Sequence, residues 1–295
     1  MVKRILFALL LVLPFLANSQ SLDELLLIHT PVGNEAEYAA FSSTRILNGH
    51  SVEQLHAGHS DFRISTRFEE FRHGVNDFFG LDKIFLHLGF EHGFTDWLMG
   101  GIGRSNFEDT YDLFFKVRLM TQSSRHSGPP LFISFLTSSE FNASKWKYDE
   151  ADNTFGAKLA FVEQLLIARK FSKNFSFQLT PTFIHKNYVP VKTDSKELFA
   201  LGAGARLKVS DRVSINAEYF HGFRSGVSQD YPNSVALGVD IDTGGHVFQL
   251  MLTNVRAARE AGFIWGEFNS DLGNPGIQLG INISRVYSPK KSKLN

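Results

Sequence analysis

The chain has 295 residues, with 30 basic and 30 acidic side chains, 43% hydrophobic residues and no Cys. The charge balance excludes the basic footprint of a nucleic-acid binder, and the apolar fraction excludes a disordered chain. Without Cys there is no disulfide scaffold, no thiolate zinc site and no cysteine nucleophile.

Residues 1–19 read as a signal peptide. Lys3 and Arg4 form a positive start, and residues 5–16 form an apolar run too short to span a bilayer comfortably as a helix. Ala17 and Ser19 place cleavage after Ser19 or Gln20. Beyond Gln20 no apolar run reaches the ~18 residues of a transmembrane helix. Residues 20–60 are expected as an N-terminal periplasmic or lumenal segment, His-rich between 41 and 60, with Asn48-Gly49 marking a turn.

From Asp61 the apolar residues alternate with a period of two. Phe62, Ile64 and Phe68 oppose Asp61, Arg63, Ser65 and Arg67, and Phe177, Leu179 and Phe183 oppose Gln178, Thr180 and Thr182. This rule predicts strands near 61–68, 83–92, 95–104, 109–121, 131–139, 155–169, 174–187, 197–209, 212–223, 234–241, 246–255 and 277–287. Most are longer than the five or six residues typical of a soluble sandwich and suit the roughly nine to eleven of a transmembrane strand. Connections alternate between short turns and longer loops (69–82, 140–154, 188–196, 224–233, 256–276), with 122–130 longer than its place demands. Aromatic residues near strand ends, such as Trp97, Tyr111, Phe175, Tyr188 and Tyr287, suit interfacial girdles.

The expected fold is therefore all-β: an antiparallel up-and-down transmembrane barrel of about 12 strands (range 10–14) over residues 61–287, with a short basic periplasmic tail at 288–295. A soluble sandwich would put the same apolar faces inward. Glu163 falls on the nominal lipid face, where a bulge or register slip is the expected explanation.

One ordered series of motifs is specific: residues 44–51 (TRILNGHS), 61–64 (DFRI) leading to Arg67-Phe68, 79–82 (FGLD), 89–96 (GFEHGFTD), 101–105 (GIGRS), Tyr111-Asp112, Lys116 and a closing 280–287 (GINISRVY). Over about residues 41–287 the chain resembles the Bacteroidetes-type outer-membrane barrels catalogued as domain of unknown function 5777. Thr66 stands where that family usually has His, and Glu69-Glu70 where it usually has Gly. The resemblance implies an outer-membrane barrel and no activity.

His50, His56 and His59, with His73 following, are candidate zinc or copper ligands, against a reading as solvated or lumen-facing histidines. Arg63, Arg67, Lys116, Arg118, Lys158, Arg206 and Lys208 are expected on inner faces, with Asp61, Glu91, Asp112, Glu218 and Asp240. They would form either a salt-bridged filling or a wet pore with weak anion preference. Asp61 with Arg63 and Asp112 with Lys116 are the expected pairs, and Arg206 and Lys208 would carry the surplus charge. The glycines at 100, 101 and 103 lie inside a strand and form no phosphate loop. No G-x-S-x-G occurs, so no catalytic motif is found and no cofactor is called for.

The sequence thus supports a non-enzymatic narrow channel or structural barrel. Alternatives are a membrane-embedded enzyme acting on lipid, or a ligand- or metal-binding barrel using the His-rich segment. Expected partners are outer-membrane lipid, the barrel-assembly machinery during biogenesis and a small solute, with no nucleic acid. Whether residues 41–60 occupy the lumen separates an open channel from an occluded barrel.

Overall fold

The computed structural model describes residues 39–71, 80–123, 128–266, 269 and 276–289. The expected signal peptide, His73 and most of the C-terminal tail lie outside them. Twelve antiparallel strands run in chain order: β1 (Ser60–Glu70), β2 (Ile84–Gly93), β3 (Leu98–Ser105), β4 (Thr110–Met120), β5 (Phe132–Asn142), β6 (Leu159–Lys170), β7 (Phe175–Lys186), β8 (Glu197–Lys208), β9 (Val213–Phe223), β10 (Ser234–Asp242), β11 (His246–Thr253) and β12 (Gln278–Tyr287). Each pairs with its neighbours in sequence, and β1 pairs with β12 to close the barrel.

The alternation in sequence becomes two unlike surfaces. Outward side chains such as Phe62, Ile102, Phe115, Phe199, Leu237 and Leu250 are exposed. Inward ones such as Asp61, Arg67, Gln178, Asn216, Gln249 and Asn282 are buried. A soluble sandwich shows the reverse arrangement. An apolar exterior wrapped around a polar interior is the arrangement of a membrane barrel, whose exterior meets lipid and whose closure leaves no unpaired edge.

Long and short connections segregate to opposite ends. At one end, here the long-loop end, lie loops 143–158, 187–196, 224–233 and 254–277; at the other lie turns 94–97, 171–174, 209–212 and 243–245. The β3–β4 link at the long-loop end is only four residues, a 3₁₀ turn with Glu108 and Asp109 at positive φ. At the start of the longer β4–β5 link, at the short-turn end, Gln122 exchanges two 2.9 Å hydrogen bonds with the backbone of Lys170.

Two expectations about particular residues fail. Residues 155–158 do not begin β6; a 3₁₀ turn (Gly156–Lys158) precedes it, so Lys158 lies outside the barrel wall. Glu163 needs no bulge: the β5–β6 register is unbroken there, and its carboxylate on the outer surface accepts a 2.9 Å hydrogen bond from Thr137, its direct cross-strand partner. A neutral donor on the next strand reduces the cost of a carboxylate on that face.

Candidate functional site

Residues 43–52 form a hairpin that fills the middle of the lumen. Its turn is closed by Ile46 N–H donating to Gly49 O (2.9 Å) and Ser51 N–H to Thr44 O (3.0 Å), around an antiparallel bridge between Arg45 and His50. A lone hairpin is marginal in water; this one is held by the wall. Glu218 on β9 accepts from the backbone N–H groups of Leu47 (3.4 Å), Asn48 (3.2 Å) and Gly49 (3.0 Å). Gln178 on β7 accepts from Val52 N–H at 2.9 Å and donates to His50 O at 2.8 Å. Gln249 on β11 donates to Ile46 O, and Asn282 on β12 to Leu47 O, both at 2.8 Å. The polar inner face thus supplies the partners that a buried hairpin backbone requires.

Space for it comes from small wall residues. A Cβ on Gly204 would lie 2.3 Å from Ile46 Cδ1, so glycine at that wall position leaves room for the Ile46 methyl where it now sits. Leu47 packs against Ala236 and Met251 in the same manner.

The inner-face charges serve the hairpin too. Arg63 donates to Asp61 (3.0 Å) and to the hydroxyls of Ser43 and Thr44 (2.9 Å each). Glu91 takes Arg45 at 3.2 Å and the Thr44 hydroxyl at 2.7 Å. Arg67 grips the Asn48 side-chain oxygen and Asn282. Lys116 donates to the carbonyls of Ser51 (3.0 Å) and Glu53 (2.5 Å). Asp112 does not pair with Lys116 as its spacing suggests; it meets His87 at 2.7 Å. Arg206 donates to two neutral acceptors, Ser214 (2.9 Å) and Ala40 O (3.3 Å), and Lys208 faces the exposed Asp211 at 3.5 Å. Arg118 is half-buried near the short-turn end.

The lumen is closed from the other end as well. Residues 254–266 fold inward, and the helix among them, α1 (Glu260–Trp265), is buried along its whole length. Glu140 on β5 holds it, accepting from Arg259 and from Ala261 N–H, both at 2.7 Å. Arg256 pairs with Glu70, and Phe263 packs edge-on against Phe220 at 5.3 Å. The two insertions meet where Glu260 stands 3.4 Å from His50 Nε2. Burial pushes the Glu260 carboxyl up to about 7, partly opposed by Arg45. Burial, then Arg45, holds His50 well below the ordinary histidine range. A proton at this contact therefore resides on the carboxyl.

Strand periodicity does not predict this inward turn of the chain. The run Phe263-Ile264-Trp265 was its signal, since three large apolar residues are out of place in a loop facing water.

Among the described residues, His50, His56 and His59 are not brought together as a metal centre. His50 touches Arg45, Phe114 and Glu260 inside the lumen, whereas His56 meets Asp96 at 3.1 Å in a turn at the short-turn end. His59 lies near His56, with ring centroids 5.9 Å apart. Among the described residues no group of three or more His, Asp or Glu is placed to hold a metal ion.

A Ser–His contact does exist on the outer surface, Ser60 Oγ to His92 Nδ1 at 2.8 Å. No carboxylate among the described residues orients that ring, and Ser60 and His92 are cross-strand partners within the ladder. The base–orienter part of a hydrolase site is therefore missing.

Above α1, at the long-loop end, a cavity of about 170 Å³ is lined by Trp146, Tyr148, Tyr188, Tyr231 and Trp265 together with Lys145, Lys147, Lys158, Lys186 and Arg259. The alternation of Lys and aromatic residues at 145–148 was a legible sign of it in a loop.

Over residues 41–287 the sequence matches the family described as "Membrane bound beta barrel domain (DUF5777)". The chain belongs to this family. No curated protein matches it. Among solved structures this DUF5777 barrel is similar to the NanC porin (8% identity, TM-score 0.48, 78% of this chain and 99% of that one). It is also similar to an outer membrane channel from Pseudomonas putida F1 (11%, 0.47, 80% and 98%) and to the KdgM porin (10%, 0.42, 78% and 99%). Similarities this distant say nothing about cargo.

Proposed function

We propose that this protein is a non-enzymatic outer-membrane barrel that rests closed and passes a small solute only when its lumenal hairpin is displaced. The observation that carries this reading is how residues 43–52 are held: by side chains of the wall reaching hairpin backbone groups. Such contacts can exchange for water, because each is worth only ~0.5–1.5 kcal/mol net, or about 1.5–3 kcal/mol where the partner is the Glu218 carboxylate. An apolar exterior supports residence in lipid, and membership of a membrane-bound family supports the outer membrane of an exported protein.

The test is conductance in planar bilayers. The intact chain should show little steady current. Replacing residues 43–52 and 258–265 by Gly-Ser linkers should give a steady pore. A refolded double replacement that conducts no better than the intact chain would reduce the protein to a structural barrel.

A further inference from the structure

We infer that the cavity above α1 is a binding site for a small organic anion in which one carboxylate is carried on a single six-membered ring. This deepens the reading above by naming the solute.

The charge of the cavity selects an anion. Its walls carry five basic and three acidic side chains. The acids are already engaged: Glu108 with Lys147 at 3.1 Å, Glu140 with Arg259 and the Ala261 N–H, and Asp194 with the Ser228 hydroxyl at 2.9 Å. Lys145 and Lys158 have no carboxylate within ion-pair distance among the described residues. The Lys158 ammonium instead sits 5.8 Å from the Trp146 ring centre, and that of Lys186 4.4 Å from the Trp265 ring centre. Cations stationed over rings at a partly dehydrated rim attract a carboxylate strongly.

The aromatic residues select a ring. Trp146, Tyr148 and Tyr188 form a three-ring cluster with centroids 4.8–5.3 Å apart. Trp265 forms a further wall, and it belongs to α1. Rigid aromatic walls give a flat solute large contact at low entropic cost. Few polar groups set among aromatic side chains are the usual make-up of a small-molecule pocket. A long alkyl chain has no channel to enter, because α1 closes the floor.

Two kinds of compound share this chemistry, an aromatic acid and a hexuronic acid, and the stacking walls accept either. Because Arg259, Ala261 and Trp265 come from the segment that seals the lumen, the occupant rests directly on the seal.

Isothermal titration of the full-length protein in detergent tests this with benzoate, glucuronate, neutral glucose and inorganic phosphate. At least one of the two carboxylates should bind, and glucose and phosphate should bind far more weakly. Which carboxylate wins assigns the source. Lys158→Gln and Lys186→Gln should each weaken binding about tenfold, the scale of one charge-assisted contact. Lys173→Gln, in a turn at the opposite end, should not change it. The inference is overturned if neither carboxylate binds, if phosphate or glucose binds equally well, or if the two lysine variants, shown to be folded, retain full affinity. Calorimetry reads binding without conductance, so a protein that binds but never opens would refute the gate and leave the site.

Discussion

Glu218→Ala should release the hairpin and spare the barrel. In the native protein this carboxylate collects three backbone N–H groups of the hairpin tip at 3.4, 3.2 and 3.0 Å. The two shorter contacts are ordinary bonds to a charged acceptor, worth about 1.5–3 kcal/mol each. Water entering the vacated space and the lost cost of burying the carboxylate return about half of that sum. The net loss is about 2 kcal/mol of docking energy, or roughly thirtyfold more undocked hairpin. The ladders β8–β9 and β9–β10 are backbone bonds and do not depend on this side chain. The chain has no Cys, so Ser51→Cys, at a fully buried hairpin position, provides a single thiol. Its maleimide labelling rate reports the undocked fraction when opening is fast relative to labelling. Adding Glu218→Ala should accelerate labelling about thirtyfold, with heat-modifiable migration unchanged. Unchanged labelling would refute the anchoring role, and a collapsed barrel would show that Glu218 holds the wall instead.

Three further outcomes follow from the same geometry. Leu250→Arg, at an outward position 51% exposed in the middle of β11, should cost about 2–4 kcal/mol of folding stability in bilayers, and a cost near zero would contradict lipid contact. Docking of α1 should depend on pH through Glu260: its carboxyl is raised from 4.5 to about 7, so its contribution is complete below about 4.5 and lost as pH rises through about 7. The difference amounts to about 3 kcal/mol, so acrylamide quenching of Trp265, with Trp265→Phe as background, should rise from pH 5 to pH 8; a flat or falling profile would refute it. A tag inserted after Gln229 should label on intact cells and one after Asn295 only after permeabilisation, because long loops face outward in such barrels; the opposite pattern would invert the topology.

The wall was legible in the sequence because a period of two survives wherever one face meets lipid. Each of the twelve expected strands overlaps its counterpart, from β1 to β12. The glycines at 202 and 204 were visible as small residues on a polar face, but only the structure shows that Gly204 makes room for Ile46. The partners of the inner charges were not legible. Spacing along one strand suggested Asp112 for Lys116, yet both chose partners from elsewhere in the chain, and Gly49 lies 169 residues from Glu218. Periodicity reports which way a side chain points. It carries no information about a segment that enters the lumen from outside the repeat.

The hairpin touches β1, β2, β4, β5, β7, β8, β9, β11 and β12 through Arg63, Glu91, Lys116, Ser134, Gln178, Arg206, Glu218, Gln249 and Asn282, counting Ala40 and Val52 at its flanks. It precedes β1 and is made first, yet its last partner, Asn282, belongs to the strand made last. Its binding site is therefore complete only once the β1–β12 seam can form. Loop closure over more than 200 residues is a cost that no single contact offsets, so the hairpin and the seam gain stability together. A barrel without its last strand leaves this polar segment without its Asn282 partner, whereas a finished one completes its set, which gives biogenesis an internal check on whether the last strand has arrived.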